Sequence, residues 1–240
     1  MKNLTLATTE CSVSSFFTAS SPVLFIGESG TGKTHSAQNI HCESARHLEP
    51  FLHLNCAGIS ESLAESTLFG SVEGAFTGAK NTTGYFGTAS NGTIFLDEVG
   101  ELSLSTQAKL LQVMSEGIYM RVGSSTARKS SARVICATNV DLKGAVARGD
   151  FRSDLYYRIS VFPIHLKPLR ERRCEIPNLA LSFVHKHKKE LDIHAIRYLI
   201  AQDWPGNIRQ LFSCLEISCS LSKNSVISKN EVIMAYKISC

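Results

Sequence analysis

Long hydrophobic runs are missing from these 240 residues. No apolar stretch approaches the roughly 18 residues that a bilayer-spanning helix needs. The opening segment, MKNLTLATTECSVSSFF, carries one early Lys but neither a sustained apolar core nor a small-residue cleavage site. It reads as neither signal peptide nor anchor, and a cytoplasmic protein without membrane contact is expected. Paired cysteines are also missing. Cys11, Cys42, Cys56, Cys136, Cys174, Cys214, Cys219 and Cys240 include no C-x-x-C, so the spacing speaks against structural zinc and against a disulfide framework. Cys56 in HLNCAG and Cys136 in RVICATN sit where small core residues fit. A strong charge imbalance is lacking as well. The net +4 is too mild to imply nucleic-acid binding, and the densest basic run, HKHKK at 185–189, reads as a solvated helix face.

What is present describes a folded chain. A hydrophobic share of 43% with 19% charged residues excludes disorder, and the length allows a real core in one large or two modest domains. Short apolar runs read as buried strands at 23–26 (VLFI), 51–54 (FLHL), 93–96 (TIFL), 133–137 (RVICA) and 161–166 (VFPIHL). Helix-like stretches, such as 33–46 and 106–116, lie between them. Strands alternating with helices predict an α/β fold with a parallel sheet, whose ligands gather at the carboxyl ends of the strands. After KPLRERR at 167–173 the pattern turns helical with no convincing strand, and a small helical domain is expected there. WPGN at 204–207 breaks the helices, with Asn207 a plausible N-cap for the next one. There is no internal repeat and no low-complexity tract.

The chemistry-bearing motifs fall just after the predicted strands. Gly27, Glu28, Ser29, Gly30, Thr31, Gly32, Lys33 and Thr34 spell G-x-x-x-x-G-K-[ST] between an apolar run and a helix-like stretch. That is the strand–loop–helix context of a P-loop. Its glycines let backbone N–H groups and the helix N-terminus face an anion. Lys33 should reach the β- and γ-phosphates, and the Thr34 hydroxyl should ligate Mg²⁺. Asp97 and Glu98 end the strand TIFL about 65 residues later. Asp97 would hold the Mg²⁺ shell and Glu98 would polarise an attacking water; alone, such a pair is more often a solvated turn. Thr138 and Asn139 follow RVICA and read either as an amide placed near the γ-phosphate or as a turn or helix cap. Gly74, Ala75, Phe76, Thr77, Gly78 and Ala79 frame a Phe and a Thr with small residues, too glycine-rich for a helix interior. Either this Phe meets a partner from a loop tip, or it folds back on the core.

Together these segments resemble the central AAA+ domain of sigma-54-dependent transcription activators, the bacterial enhancer-binding proteins. GESGTGKT, LNCAGI, ESLAESTLFG, GAFTGA, GTIFLDEVGEL, QAKLLQVM, RVGS, ATNVDL, GDFRSDLYYRI, PLRERR and DWPGNIRQL occur in the family's order, from about residue 21 to 236. GAFTGA is close to diagnostic among AAA+ proteins. The resemblance implies an AAA+ α/β ATPase domain over residues 1–168 and a helical lid over 169–240, with ATP and Mg²⁺ as cofactors. By position, Lys33 and Thr34 match Walker A, Asp97 and Glu98 match Walker B, and Thr138 and Asn139 match sensor I. Asn55 matches the residue that holds the Walker B glutamate inactive until the partner is engaged. Arg152 and Arg158 match arginine fingers that serve a neighbour's nucleotide, which implies a homo-oligomeric ring, usually a hexamer. Arg209 matches sensor II, and Phe76 and Thr77 match the loop that contacts sigma-54.

The implied function is ATP hydrolysis in a ring that drives this loop against sigma-54 and remodels the closed RNA polymerase complex. The alternative is a non-catalytic ATP-binding partner that joins or inhibits rings of a full-length activator. Several positions depart from the pattern. Ser71 stands where His is usual, and Asn91 where Gly is usual. The stretch between His185 and Asp203 is short, and only about 26 residues precede the P-loop. No receiver domain and no helix-turn-helix are legible, so direct DNA binding by this chain is not expected.

Overall fold

The computed structural model describes residues 21–239; the opening segment read above, Cys11 and Cys240 lie outside them. The chain divides into two compact units, one holding residues 33–165 with the strand before the P-loop, the other joining Gly27–Gly32 to the chain from Leu166 onward. The boundary expected at 168 therefore falls at 165, and most of the P-loop groups with the C-terminal unit. No helix among the described residues is long and apolar enough to cross a membrane.

The first unit is built on five parallel strands: β1 (Val23–Ile26), β2 (Phe51–Asn55), β3 (Thr93–Asp97), β6 (Arg133–Thr138) and β7 (Phe162–His165), in the order β2-β3-β6-β1-β7. Every strand predicted from the apolar runs is present, with ends shifted by a residue or so. The central β1, β3 and β6 are almost wholly buried, as unbroken apolar runs in a parallel sheet require. β7 lies at an edge and carries Pro163, a residue that sheets admit on edge strands. Helix α1 (Lys33–Cys42) follows the P-loop and is shorter than the pattern predicted, because Ser44 closes a turn on the His41 carbonyl. Helices α2 (Glu61–Phe69), α3 (Gly84–Ala89), α4 (Leu104–Glu116), α5 (Leu142–Arg148) and α6 (Ser153–Ile159) complete the unit. Cys56 and Cys136 are core residues, as their contexts implied. An antiparallel pair, β4 (Ile118–Met120) with β5 (Ala127–Lys129), was not legible because each strand is only three residues long.

The second unit is helical, with α7 (Ile176–Lys186), α8 (Ile193–Ala201), α9 (Asn207–Leu221) and α10 (Lys229–Ser239). A two-residue parallel pairing, β8 (Glu190–Leu191) with β9 (Val226–Ile227), is added to it. Its core centres on fully buried Trp204, whose indole N–H donates to the Leu199 carbonyl at 2.8 Å and whose ring meets Tyr236 edge-on. In the basic run, His185 to Lys188 are exposed, while Lys189 donates to the Ser222 and Asn224 carbonyls.

Candidate functional site

The parallel register brings the predicted chemistry to one edge of the sheet. Asn55 at the end of β2 is the partner of Asp97 at the end of β3, and Thr138 ending β6 is the partner of Ile26, which leads into the P-loop. At this edge Lys33 is buried, and its Nζ lies 3.4 Å from Glu98 Oε1. Glu98 Oε2 accepts the backbone N–H of Asn139 at 2.9 Å. Its own N–H donates to Asp97 Oδ1 at 3.1 Å. Glu98 adopts φ 55°, a left-handed conformation that a non-glycine residue holds only when its surroundings impose it. His53 Nε2 stands 3.8 Å from Asp97 Oδ2. Burial, followed by the nearby charges of Asp97 and Glu98, pushes the Cys56 thiol up to about 12, so it stays protonated beside the carboxylates.

Two positional expectations at this edge take a different form. Asn55 Oδ1 accepts the N–H of Ala57 at 3.0 Å, closing its own turn; Glu98 is bonded by Lys33 and the Asn139 backbone instead. Of the turn or cap read for Thr138 and Asn139, the structure has the turn but not the cap of α5. Asp141 caps that helix, through Lys143 N–H, while buried Thr138 accepts from Val140 N–H at 3.1 Å.

In the second unit the P-loop residues Gly27–Gly32 meet the chain beyond residue 166. Gly30 and Gly32 have φ 78° and 102°. A Cβ on Gly30 would lie 2.4 Å from the Gly206 carbonyl oxygen, so glycine is required twice over. Arg209 Nη1 donates to Ser29 Oγ at 2.8 Å. Asn207 is not the N-cap that WPGN implied. Gly206 occupies that position without a side-chain cap bond, and fully buried Asn207 has φ 54°. Its amide reaches instead to Leu169, Glu28 and Ser29. That reach was invisible in the sequence, since a turn ending in Asn reads as a cap whatever lies across from it.

Arg152 and Arg158 are exposed on and beside α6, and no bond joins either to Lys33 or Glu98. Arg152 pairs with Asp154 through two bonds of 3.1 and 2.7 Å, which holds the Asp154 carboxyl below its usual range. Arg158 donates to the Met114 carbonyl. A residue that sequence reasoning passed over sets the Arg152 backbone. Gln107, fully buried on α4, donates to the Leu102 and Asp150 carbonyls and accepts the Arg152 N–H at 2.9 Å. An amide at a core-facing helical position was the available signal.

GAFTGA forms a tight projecting turn. Ala79 N–H donates to the Phe76 carbonyl at 2.9 Å, Gly74 and Gly78 have φ 81° and 83°, and a Cβ on either glycine would meet nothing within 4 Å. Phe76 is 38% exposed and Thr77 is exposed, so the ring does not fold back into the core. Ser71, a departure from the family pattern, closes the base of the loop: it is buried, its hydroxyl donates to the Lys80 carbonyl at 2.6 Å, and its N–H donates to Thr82 Oγ1. Asn91, the other departure, accepts from Ser131 at its amide and from Arg46 at its carbonyl.

Comparison with known proteins agrees with this geometry. Residues 2–165 match the model of the sigma-54 interaction domain, and residues 170–237 that of the AAA+ ATPase lid domain. The chain is 49% identical over 214 residues to the Nif-specific regulatory protein of Azospirillum brasilense, covering 86% of this chain and 34% of that protein. It is 48% identical over 209 residues to the anaerobic nitric oxide reductase transcription regulator NorR of Aeromonas salmonicida, covering 84% and 41%. The crystal structure of NtrX from Brucella abortus in complex with ADP superimposes with a TM-score of 0.83 at 30% identity, over 91% of this chain and 50% of that one. The chain thus spans about a third of the first of these relatives.

Proposed function

Because the chain belongs to the sigma-54 interaction domain family and carries an AAA+ lid after that domain, we propose that it hydrolyses ATP and couples turnover to remodelling of sigma-54 RNA polymerase. The observation that carries the nucleotide chemistry is the convergence of Lys33 and Glu98, about 65 residues apart in sequence, at 3.4 Å. Lys33 supplies the cation for the β- and γ-phosphates. Glu98 takes the proton of the attacking water, and the Asn139 N–H orients its carboxylate. The Thr34 hydroxyl and the Asp97 carboxylate are hard oxygen donors of the kind Mg²⁺ takes, and these two residues would hold it. When bound, that ion neutralises charge on the phosphate oxygens. Arg209, already on the P-loop through Ser29, would follow the phosphates.

Arg152 and Arg158, exposed and unconnected to Lys33 or Glu98, are assigned to a neighbouring subunit's nucleotide. That assignment calls for a homo-oligomeric ring, of which a hexamer is the usual form. The projecting Phe76 and Thr77 are the contact for sigma-54. A bacterial cytoplasmic setting follows from that partner. The presence of Lys33, Asp97, Glu98 and both arginines counts against the non-catalytic alternative. Turnover by the purified chain, with co-sedimentation of its ATP-analogue complex with sigma-54, tests the proposal. Binding of the analogue without turnover would favour the non-catalytic alternative; failure to associate with sigma-54 would remove the partner.

A further inference from the structure

We infer that Arg170 and Asn207 are positioning residues for the phosphate loop. Arg170 neutralises the loop's own carboxylate, and Asn207 also holds its backbone, so that the loop can accept a triphosphate. Glu28 lies inside the P-loop, where an ionised carboxylate opposes a polyanion. Arg170 answers it with two parallel bonds, Nη1 to Oε2 at 2.9 Å and Nη2 to Oε1 at 2.7 Å. Asn207 Nδ2 adds a third, to Oε2 at 3.1 Å. The Arg170 bonds, then the Asn207 bond, bring the Glu28 carboxyl down to about 2, so it is ionised and paired at neutral pH.

The same segment also ties the loop's carbonyls one after another. The Ser29 carbonyl accepts from Asn207 Nδ2 at 3.0 Å, the Gly30 carbonyl from Ile208 N–H at 3.0 Å, and the Thr31 carbonyl from Arg172 Nη2 at 2.6 Å. In a trans peptide the following N–H points opposite to the carbonyl. Tying these oxygens therefore turns the N–H groups of Gly30 and Gly32 the other way, as an anion nest requires. Asn207 is itself fixed by the Leu169 N–H, which donates to its Oδ1 at 2.7 Å. A buried, fully bonded amide on a left-handed residue marks a conformation that its surroundings impose. The arrangement makes Arg170 and Asn207 determinants of nucleotide affinity without either being assigned to the reacting atoms.

This inference rests on the nucleotide-binding reading, and its test separates the two. Binding of a fluorescent anthraniloyl-ATP with Mg²⁺ to the full chain is measured alongside its melting temperature, with and without the nucleotide. Arg170→Ala and Asn207→Gly should each weaken binding about tenfold, a typical effect of losing a charge-assisted or buried bond. Glycine is chosen at 207 because it keeps the left-handed backbone. Arg170→Lys should recover part of the loss. Glu28→Gln combined with Arg170→Ala should bind no worse than the poorer single variant, since the two side chains act as one pair. If Arg170→Ala does not fold, Arg170→Lys and Asn207→Gly decide the matter. Variants that bind within twofold of the parent, whether or not their melting temperature without nucleotide falls, would show a merely structural role and overturn the inference. A parent that binds no anthraniloyl-ATP would overturn the nucleotide reading and this inference with it.

Discussion

Lys33 and Glu98 face each other across the carboxyl ends of β1 and β3, 3.4 Å apart, with Lys33 6% and Glu98 16% exposed. The cation proposed for phosphate and the carboxylate proposed for water are thus neighbours, and their proposed roles predict different losses. Lys33→Ala should weaken ATP binding about a hundredfold or more, the loss of about 3 kcal/mol of charge-assisted bonding. Glu98→Gln should bind ATP and turn it over very slowly. Titration calorimetry and a phosphate-release assay measure both; equal loss of binding in the two variants would refute this division of roles.

Arg152→Ala and Arg158→Ala should each depress turnover strongly, since arginine fingers contribute about 10³ to 10⁵ in rate. The reach to a neighbour proposed for them also predicts that specific activity climbs with protein concentration. An ATPase rate per chain that stays constant over a hundredfold dilution series would argue for a working monomer.

Thr77→Ala and Phe76→Ala should keep ATP turnover within a few-fold of the parent, because neither side chain is bonded to Asp97 or Glu98. Both should lose nucleotide-dependent association with sigma-54, the exposed ring being the kind of anchor that interfaces use. Sedimentation with sigma-54 distinguishes the cases, and equal association by parent and variants would leave GAFTGA a structural turn.

Gln107→Leu should destabilise the first unit by about 1–3 kcal/mol, because the Leu102 and Asp150 carbonyls and the Arg152 N–H lose their buried partner together. Denaturant unfolding gives the stability change. The accompanying loss of ATPase should exceed that of a core substitution of equal destabilisation, as Arg152 loses its backbone anchor.

Acid should weaken the Glu28–Arg170 pair in a defined window. The Glu28 carboxyl is lowered from 4.5 to about 2 by Arg170 and then Asn207, so its contribution is complete above about pH 4.5 and lost as pH falls toward 2. Both partners are more than 40% exposed, so solvent screening keeps the contribution small. The melting-temperature difference between parent and Glu28→Gln should be flat from pH 5 to 8 and shrink below that range. A difference that grows on acidification would contradict the assignment.

The local elements were legible in the sequence because each is written in contiguous residues. VLFI, TIFL and RVICA are apolar runs that only a doubly covered sheet can bury, and GESGTGKT carries its phosphate chemistry in eight consecutive positions. GAFTGA left a loop tip and a fold-back both open, though its glycines do take two left-handed positions. Tertiary structure alone decided which distant groups meet. Strand order set Asn55 beside Asp97, yet the Asn55 amide turned to its own backbone and left Glu98 to Lys33 and Asn139. Asn207 was a helix cap by local grammar, but it lies 179 positions from Glu28 and bonds it. Apolar periodicity encodes which face an element buries, because burial is non-directional. A hydrogen bond demands a partner at one distance and angle, and that placement is set only when the elements have packed.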